Sequence, residues 1–309
     1  MAASGGYIDL QVNGAAGYDL TSDPGSVWAV GEALVAHGVG AFLPTLVSPD
    51  PATIDRARAV LASGPPAGYR GAEALGWHVE GPFLAPSRAG AHEPASLRRP
   101  DLGVVADWSP ASGVRMVTLA PELSGALGLV ERLVANGVVA SAGHSAATYA
   151  EARAGFDAGI AAVTHLFNAM SPLDHRDPGL PGAALADPRV TIGLIPDGLH
   201  VHPALVRIVR AAVGPGRLAI VTDAIAALGM PAGTYRLAGR EVVVADETGD
   251  HGRPRAAAAR TAEGRLAGSV LAMDQAVRNF AAFCGCSAEE AAVAATTVPA
   301  ALLRLGLSD

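Results

Sequence analysis

Residues 138–145, Val-Val-Ala-Ser-Ala-Gly-His-Ser, and residues 161–168, Ala-Ala-Val-Thr-His-Leu-Phe-Asn, carry the same device. In each, a short apolar run of strand length ends in a histidine, and the segment between them, Ala146 to Ala158, reads as a helix. Two consecutive strand-helix units of this kind predict a parallel sheet. Parallel strands deliver their carboxyl ends to one edge, so the two imidazoles are expected side by side.

Six further runs of strand length flank this pair: Tyr7 to Val12, Ala41 to Pro44, Ala72 to Val79, Val114 to Leu119, Val190 to Ile195 and Leu218 to Thr222. With Val138 to Ala142 and Ala161 to Thr164 they make eight, the number that closes a barrel. Helix-like segments lie between them at Ser26 to His37, Pro51 to Ala62, Leu123 to Asn136 and Pro203 to Val213. The expected fold is therefore α/β, a (β/α)8 TIM-type barrel. A dinucleotide-binding sheet would need a glycine-rich turn after the first strand, but Val12-Asn13-Gly14-Ala15-Ala16-Gly17 lacks the full pattern.

A chain of 309 residues with 50% hydrophobic content can form such a barrel as one domain over 1–309. After Asp223 the pattern changes. Gly233 to Val244 alternates like a hairpin, Glu247 to Glu263 reads as a flexible loop with a hairpin lid as the alternative, and two helices are expected from about Val270. The excursion spans about 230–266 and the closing helices about 270–305.

The net charge is -7, and the longest basic stretch, Arg98 to Pro100, is too short to neutralise a phosphate backbone, which argues against nucleic acid as a partner. Every apolar run is interrupted before the ~20 residues of a spanning helix, so no membrane partner is expected. Cys284 and Cys286 are too few and too close for a disulfide framework, and a reducing cytoplasm fits them.

Titratable side chains at strand ends carry the chemistry. Glu80 closes the third apolar run in His78-Val79-Glu80-Gly81-Pro82, where an isolated carboxylate is costly unless paired or bound to a cation. By itself it reads as a loop salt bridge, and either histidine alone reads as a hydrogen-bonded core residue. Together, Glu80, His144 and His165 form a three-ligand set of the open catalytic kind, suited to zinc or a similar divalent metal. Asp223, in Val221-Thr222-Asp223-Ala224, follows the eighth strand and is read as general base and then acid, with helix capping as the bland alternative. His200 in Asp197 to His202, and His92 in the loop Ala89 to Glu93, are candidates for substrate contact. Asn168, Ala169 and Arg176 offer a side-chain amide, a backbone N–H and a guanidinium, a combination suited to phosphate. His37, His78, His175, His202 and His251 have no assigned role.

Through Tyr7-Ile8-Asp9-Leu10-Gln11-Val12-Asn13-Gly14, His78 to Pro82, Ser141 to Ser145, Thr164 to Met170, Asp197 to Val201, Val221 to Ala224 and Leu266-Ala267-Gly268-Ser269, the chain resembles the N-acetylglucosamine-6-phosphate deacetylases of the amidohydrolase superfamily. Many amidohydrolases carry His-x-His on the first strand and bind two metals. Here Gln11 and Asn13 hold those places, so the resemblance implies one divalent metal per subunit, Zn2+ first, with Fe2+, Co2+ or Mn2+ as alternatives. It implies Glu80, His144 and His165 as ligands, Asp223 as the proton carrier and His92 as the group that polarises the acetamide carbonyl. It further implies substrate contacts from Gln11, Asn13 and His200, phosphate contacts from Asn168, Ala169 and Arg176, and a homodimer in which Arg176 reaches the neighbouring site. The expected reaction is hydrolysis of the acetamide of a phosphorylated amino sugar. A deacetylase of a related amino-sugar phosphate and a barrel that binds sugar phosphate without hydrolysing it are the alternatives. The family's small β-sandwich has no counterpart in Met1 to Gly6 or beyond the last helix, and is expected to be missing or truncated.

Overall fold

The computed structural model describes residues 5–247 and 257–305. Eight parallel strands form the barrel: β1 (Tyr7–Val12), β2 (Val39–Val47), β3 (Trp77–Glu80), β4 (Val114–Leu119), β5 (Val139–Ala142), β6 (Ala162–Val163), β7 (Thr191–Leu194) and β8 (Leu218–Ile220). They pair in sequence order from β1 to β8. The register sets Val47 beside Glu80 and Glu80 beside Thr118, so the strands end at a common level.

All eight expected strands are present with altered edges. The third run is broken, because Glu73–Ala74 pairs low on β2 and Gly76, at φ +127°, redirects the chain before Trp77. Helices α1 (Val27–Val35), α2 (Pro51–Ser63), α3 (Ala126–Ala135), α4 (Tyr149–Ala158) and α6 (Pro203–Val213) match the expected segments. Helix α5 (Gly179–Ala186) was not anticipated. Its Pro181 falls in the first turn, where a helix needs no N–H, so the ring is tolerated.

At the upper rim β1 and β8 meet through the parallel bridge Val12–Ala224 and the bond from Asp223 N–H to the Gln11 carbonyl, 3.0 Å. Lower in the same seam the strands are stitched by the end of the chain. Ile8 N–H donates to the Ala295 carbonyl at 2.7 Å and Ile220 N–H to the Ala294 carbonyl at 2.8 Å. Those two carbonyls lie between α8 (Ala288–Val293) and α9 (Thr297–Leu302), which follow α7 (Met273–Cys284). Among the described residues, three helices therefore close the chain where two were expected, because the backbone at 294–295 turns out to complete the sheet.

The excursion is a four-stranded antiparallel sheet: β9 (Gly233–Leu237), β10 (Arg240–Ala245), β11 (Ala258–Arg260) and β12 (Leu266–Ser269). The hairpin expectation for 233–244 holds. The loop expectation for 247–263 does not, since β11 lies within it, and positions 248–256, with His251, lie outside the described residues. The sheet has its own apolar cluster, in which Leu237, Val242, Val244, Ala259 and Ala267 pack with Val47 and Ile225 of the barrel rim. Ser269 bridges Ala224, which ties the sheet to the mouth of the barrel.

Beneath the mouth, Asp9 is fully buried. The Thr222 hydroxyl donates to its Oδ2 at 2.5 Å, and the Gln11 and Thr222 N–H groups donate to Oδ1 at 3.2 Å. Burial outweighs these bonds and pushes its carboxyl up to about 7 from 3.8. The folded chain keeps this proton at pH values where the unfolded chain has lost it, so Asp9 stabilises most below its unfolded value and progressively less as pH rises from about 4 to about 7. The stability of Asp9→Asn relative to the wild type is therefore expected to improve across that window. Thermal unfolding of both proteins at pH 5 and pH 7.5 measures it, and an unchanging difference would show that Asp9 does not hold its proton.

Candidate metal and substrate site

Glu80, His144, His165 and Asp223 each stand at or just beyond the end of β3, β5, β6 or β8, and the barrel gathers them at one point. The His165 and His144 Nε2 atoms lie 3.0 and 3.2 Å from Glu80 Oε1, and 3.2 Å from each other. All three residues are at most 5% exposed. His144, His165 and Asp223 have φ of +48°, +34° and +53°, a left-handed conformation that costs about 1–3 kcal/mol at each non-glycine residue. The turn after each strand is held in this form by its surroundings. Ser145 donates to Glu122 Oε2 at 2.7 Å, and the Ala146 N–H donates to Glu122 Oε1 at 2.5 Å, which pins the residues next to His144.

The donor set suits a divalent cation. His144 Nδ1 lies 3.0 Å from the Arg88 carbonyl, which can only accept, so Nδ1 carries a ring proton and Nε2 is the nitrogen turned to Glu80. Two inward imidazole nitrogens and a carboxylate oxygen at this spacing need a positive charge among them. A tetrahedral site with bonds of about 2.1 Å sets its ligand atoms about 3.4 Å apart, close to the observed spacing. Burial alone would raise Glu80, yet hydrogen bonds and charge from His144 and His165 hold its carboxyl well below the usual range. Burial opposes a charged His165 as well, and contact with Glu80 reverses this, raising it above the usual histidine value.

His92 makes a second tight trio with Glu80 and His144, their donor atoms lying within 4.8 Å of one another. It faces the other carboxylate oxygen, with Nε2 at 3.7 Å from Glu80 Oε2, and its Nδ1 contacts the Ser48 hydroxyl at 2.7 Å. Since His144 and His165 share Oε1 at shorter range, they make the stronger chelating pair. Burial pushes His92 down to about 3 and keeps it neutral.

Asp223 receives 2.7 Å from Asn13 Nδ2 and is raised to about 6, first by burial and then by the charge of Glu80. The Asn13 Oδ1 atom is buried and without a partner among the described residues. His200 Nδ1 lies 2.6 Å from Asp197 Oδ2, and the Leu199 and His200 N–H groups bond Asp197 Oδ1, so the aspartate sets the ring's direction.

A cavity of about 300 Å3 opens above these groups, and Asn13, His92, Asn168, Ala169, His200 and Asp223 all line it. Two of the expected substrate residues are elsewhere. Gln11 lies beneath the cavity, where its Nε2 donates to Glu80 Oε1 at 3.0 Å, which makes it a support for the carboxylate. Arg176 is exposed on the loop after β6 and does not line its own chain's cavity. Among the histidines without an assigned role, His78 is a neutral barrel-interior residue between the Leu10 carbonyl and Thr118, and His202 caps α6.

Sequence reasoning missed Ser48, Glu122, Arg88 and Arg265; the last two line the cavity. Ser48 follows directly on β2, but the apolar run read from sequence ends at Pro44, and Glu122 lies three residues beyond β4 in a segment read as leading into a helix. Residues 81–113 hold 3-10 turns but no α-helix among the described residues, and this long connection carries both Arg88 and His92. No described helix is long and apolar enough to cross a membrane.

A model described as the Amidohydrolase family matches residues 6–307. The chain is 40% identical over 303 residues to N-acetylgalactosamine-6-phosphate deacetylase of Escherichia coli O157:H7, covering 96% of this chain and 77% of that protein. It is 40% identical over 311 residues to N-acetylglucosamine-6-phosphate deacetylase of Danio rerio, covering 96% and 74%. Among solved structures, N-acetyl-D-glucosamine-6-phosphate deacetylase from Mycobacterium smegmatis, in complex with N-acetyl-D-glucosamine-6-phosphate, superposes with a TM-score of 0.85 at 38% identity, covering 97% of this chain and 77% of that one. The enzyme of the same name from Thermotoga maritima gives 0.86 at 33% identity, covering 97% and 78%.

Proposed function

The chain belongs to the amidohydrolase family, and from that premise we propose that it hydrolyses the acetamide of N-acetylglucosamine 6-phosphate to glucosamine 6-phosphate and acetate. The observation that carries this reading is the convergence of Glu80 Oε1, His144 Nε2 and His165 Nε2 within 3.2 Å of one another, in the cavity that Asp223 and His92 line. The family implies a divalent metal, and these three residues would hold it, with zinc favoured by the two-nitrogen, one-oxygen donor set. When bound, the cation supplies a Lewis acid that acidifies water and polarises the amide carbonyl.

The remaining steps belong to the chain. Asp223 Oδ2 takes a proton from the attacking water as the new C–O bond forms, while Asn13 holds Oδ1. With the Ser48 hydroxyl donating to Nδ1, the His92 proton sits on Nε2 and stabilises the negative carbonyl oxygen. Asp223 then returns the proton to the amine nitrogen as the C–N bond breaks. The unpartnered Asn13 Oδ1 accepts from the sugar, His200 holds a sugar hydroxyl, and Asn168 with the Ala169 N–H binds the phosphate.

Arg176 completes the phosphate site of a second copy in a homodimer, which its exposure and its place outside its own cavity support. Arg176→Ala is expected to raise KM about 10-fold or more with a smaller change in kcat. An unchanged KM, measured by acetate release, would remove Arg176 from the site. The four-stranded sheet is taken as an excursion within a single barrel domain. Two free thiols and a phosphorylated substrate support a cytoplasmic location.

Acetate release by the metal-loaded protein tests the reaction. The expected result is turnover of N-acetylglucosamine 6-phosphate, and no acetate would defeat the proposal. The Escherichia coli relative, named for the galactosamine epimer, motivates a second reading. Comparing kcat/KM for the two epimers decides between them.

A further inference from the structure

Two cations in the cavity, Arg88 and Arg265, are left without a role by the steps above. Arg88 ends the 3-10 turn Pro86–Arg88 after β3 and is among the residues that line the cavity, with Asn168 and Ala169. Its Nε is buried and has no hydrogen-bond partner among the described residues, and no ion pair involves its guanidinium there. Arg240, which packs on the same loop, is satisfied by Glu93, Glu263 and the carbonyls of Ala91 and His92. Arg265 is exposed and sits in the field of Glu263. Arg88 thus differs from both: it is a permanent cation with a desolvated donor, and an anion entering the cavity would satisfy it.

Its position says which end of a ligand it would meet. The Arg88 carbonyl contacts His144 Nδ1, whereas Nε2 of the same ring faces Glu80, so Arg88 sits across the imidazole from the reacting centre. A Cβ added at Gly90 would lie 3.2 Å from His144 Cε1 and 3.5 Å from Ala169 Cβ. The Arg88 loop therefore packs on the turn that presents Asn168 and Ala169.

We propose that Arg88 is a phosphate-binding, specificity-determining residue, donating from Nε and a terminal nitrogen to the phosphate that Asn168 and Ala169 hold. This rests on the sugar-phosphate reading of the cavity. It supplies each site with a guanidinium from its own chain, in addition to Arg176 from a second copy.

Calorimetric titration of the metal-loaded protein with inorganic phosphate and, separately, with acetate tests the assignment. Arg88→Gln preserves the backbone carbonyl that holds His144. It is expected to weaken phosphate binding about 10-fold or more and to leave acetate affinity within about twofold, with Arg88→Lys recovering part of the loss. Phosphate binding equal to wild type, or equal losses for phosphate and acetate, would overturn it. Acetate release from the sugar phosphate is scored independently: a wild type that binds phosphate through Arg88 yet releases no acetate would defeat the proposed reaction and leave this assignment standing.

Discussion

Asp223→Asn is expected to lower kcat by about 10²-fold to 10⁴-fold while the protein keeps its metal, the range that general acid-base help typically supplies. The substitution changes one atom. An asparagine amide at 223 can turn its oxygen toward Asn13 Nδ2, so the 2.7 Å contact and the strained backbone at φ +53° both survive. What is lost is the group that accepts a proton from water and returns it to the amine. Steady-state acetate release together with metal analysis on the same sample reads both halves of the result. A variant with wild-type turnover would remove Asp223 from the mechanism, and one that has lost its metal would make it a ligand instead.

Glu80→Gln is expected to strip the metal and, with it, the activity. Glu80 Oε1 is approached by His144, His165 and Gln11, so this one oxygen holds the centre of the cluster. A glutamine can leave its amide oxygen in the Oε1 place but supplies no negative charge, and its NH2 group replaces the oxygen that faces His92. Losing even an outer support of a metal ligand costs about 10- to 100-fold in affinity, so losing a ligand is expected to cost more. Metal retained after dialysis against a weak chelator, measured by elemental analysis, should fall from one ion per chain to near none, with partial rescue by excess metal. Full occupancy in the variant would mean that Glu80 is not a ligand.

The barrel was legible because its strands are apolar runs bounded by polar or glycine-rich turns, and because the chemistry sits at their ends. Glu80, His144, His165 and Asp223 were identifiable by residue type and by that position, without any local cluster in the sequence. The left-handed backbone of His144, His165 and Asp223 was invisible, since none is a glycine and the conformation is imposed by surroundings such as Glu122 beside His144. Gln11 misled for a geometric reason: alternate side chains of a strand differ in depth, and Gln11 ends under Glu80 while Asn13, two residues on, reaches the cavity. β11 is short and alanine-rich, and α5 carries a proline and two glycines in its first half, so neither leaves a periodic apolar signal. Arg88 could not be recognised from sequence at all, because an arginine in a loop ordinarily faces water, and only the packing of residues 81–113 over the mouth buries its Nε.

The most direct test of the account is an anomalous-diffraction map of the metal-loaded protein, collected at the absorption edge of the added ion. One peak per chain is predicted, bonded to Glu80, His144 and His165 and within reach of a water beside Asp223. A peak at any other set of residues, or no peak in protein that releases acetate, would contradict it.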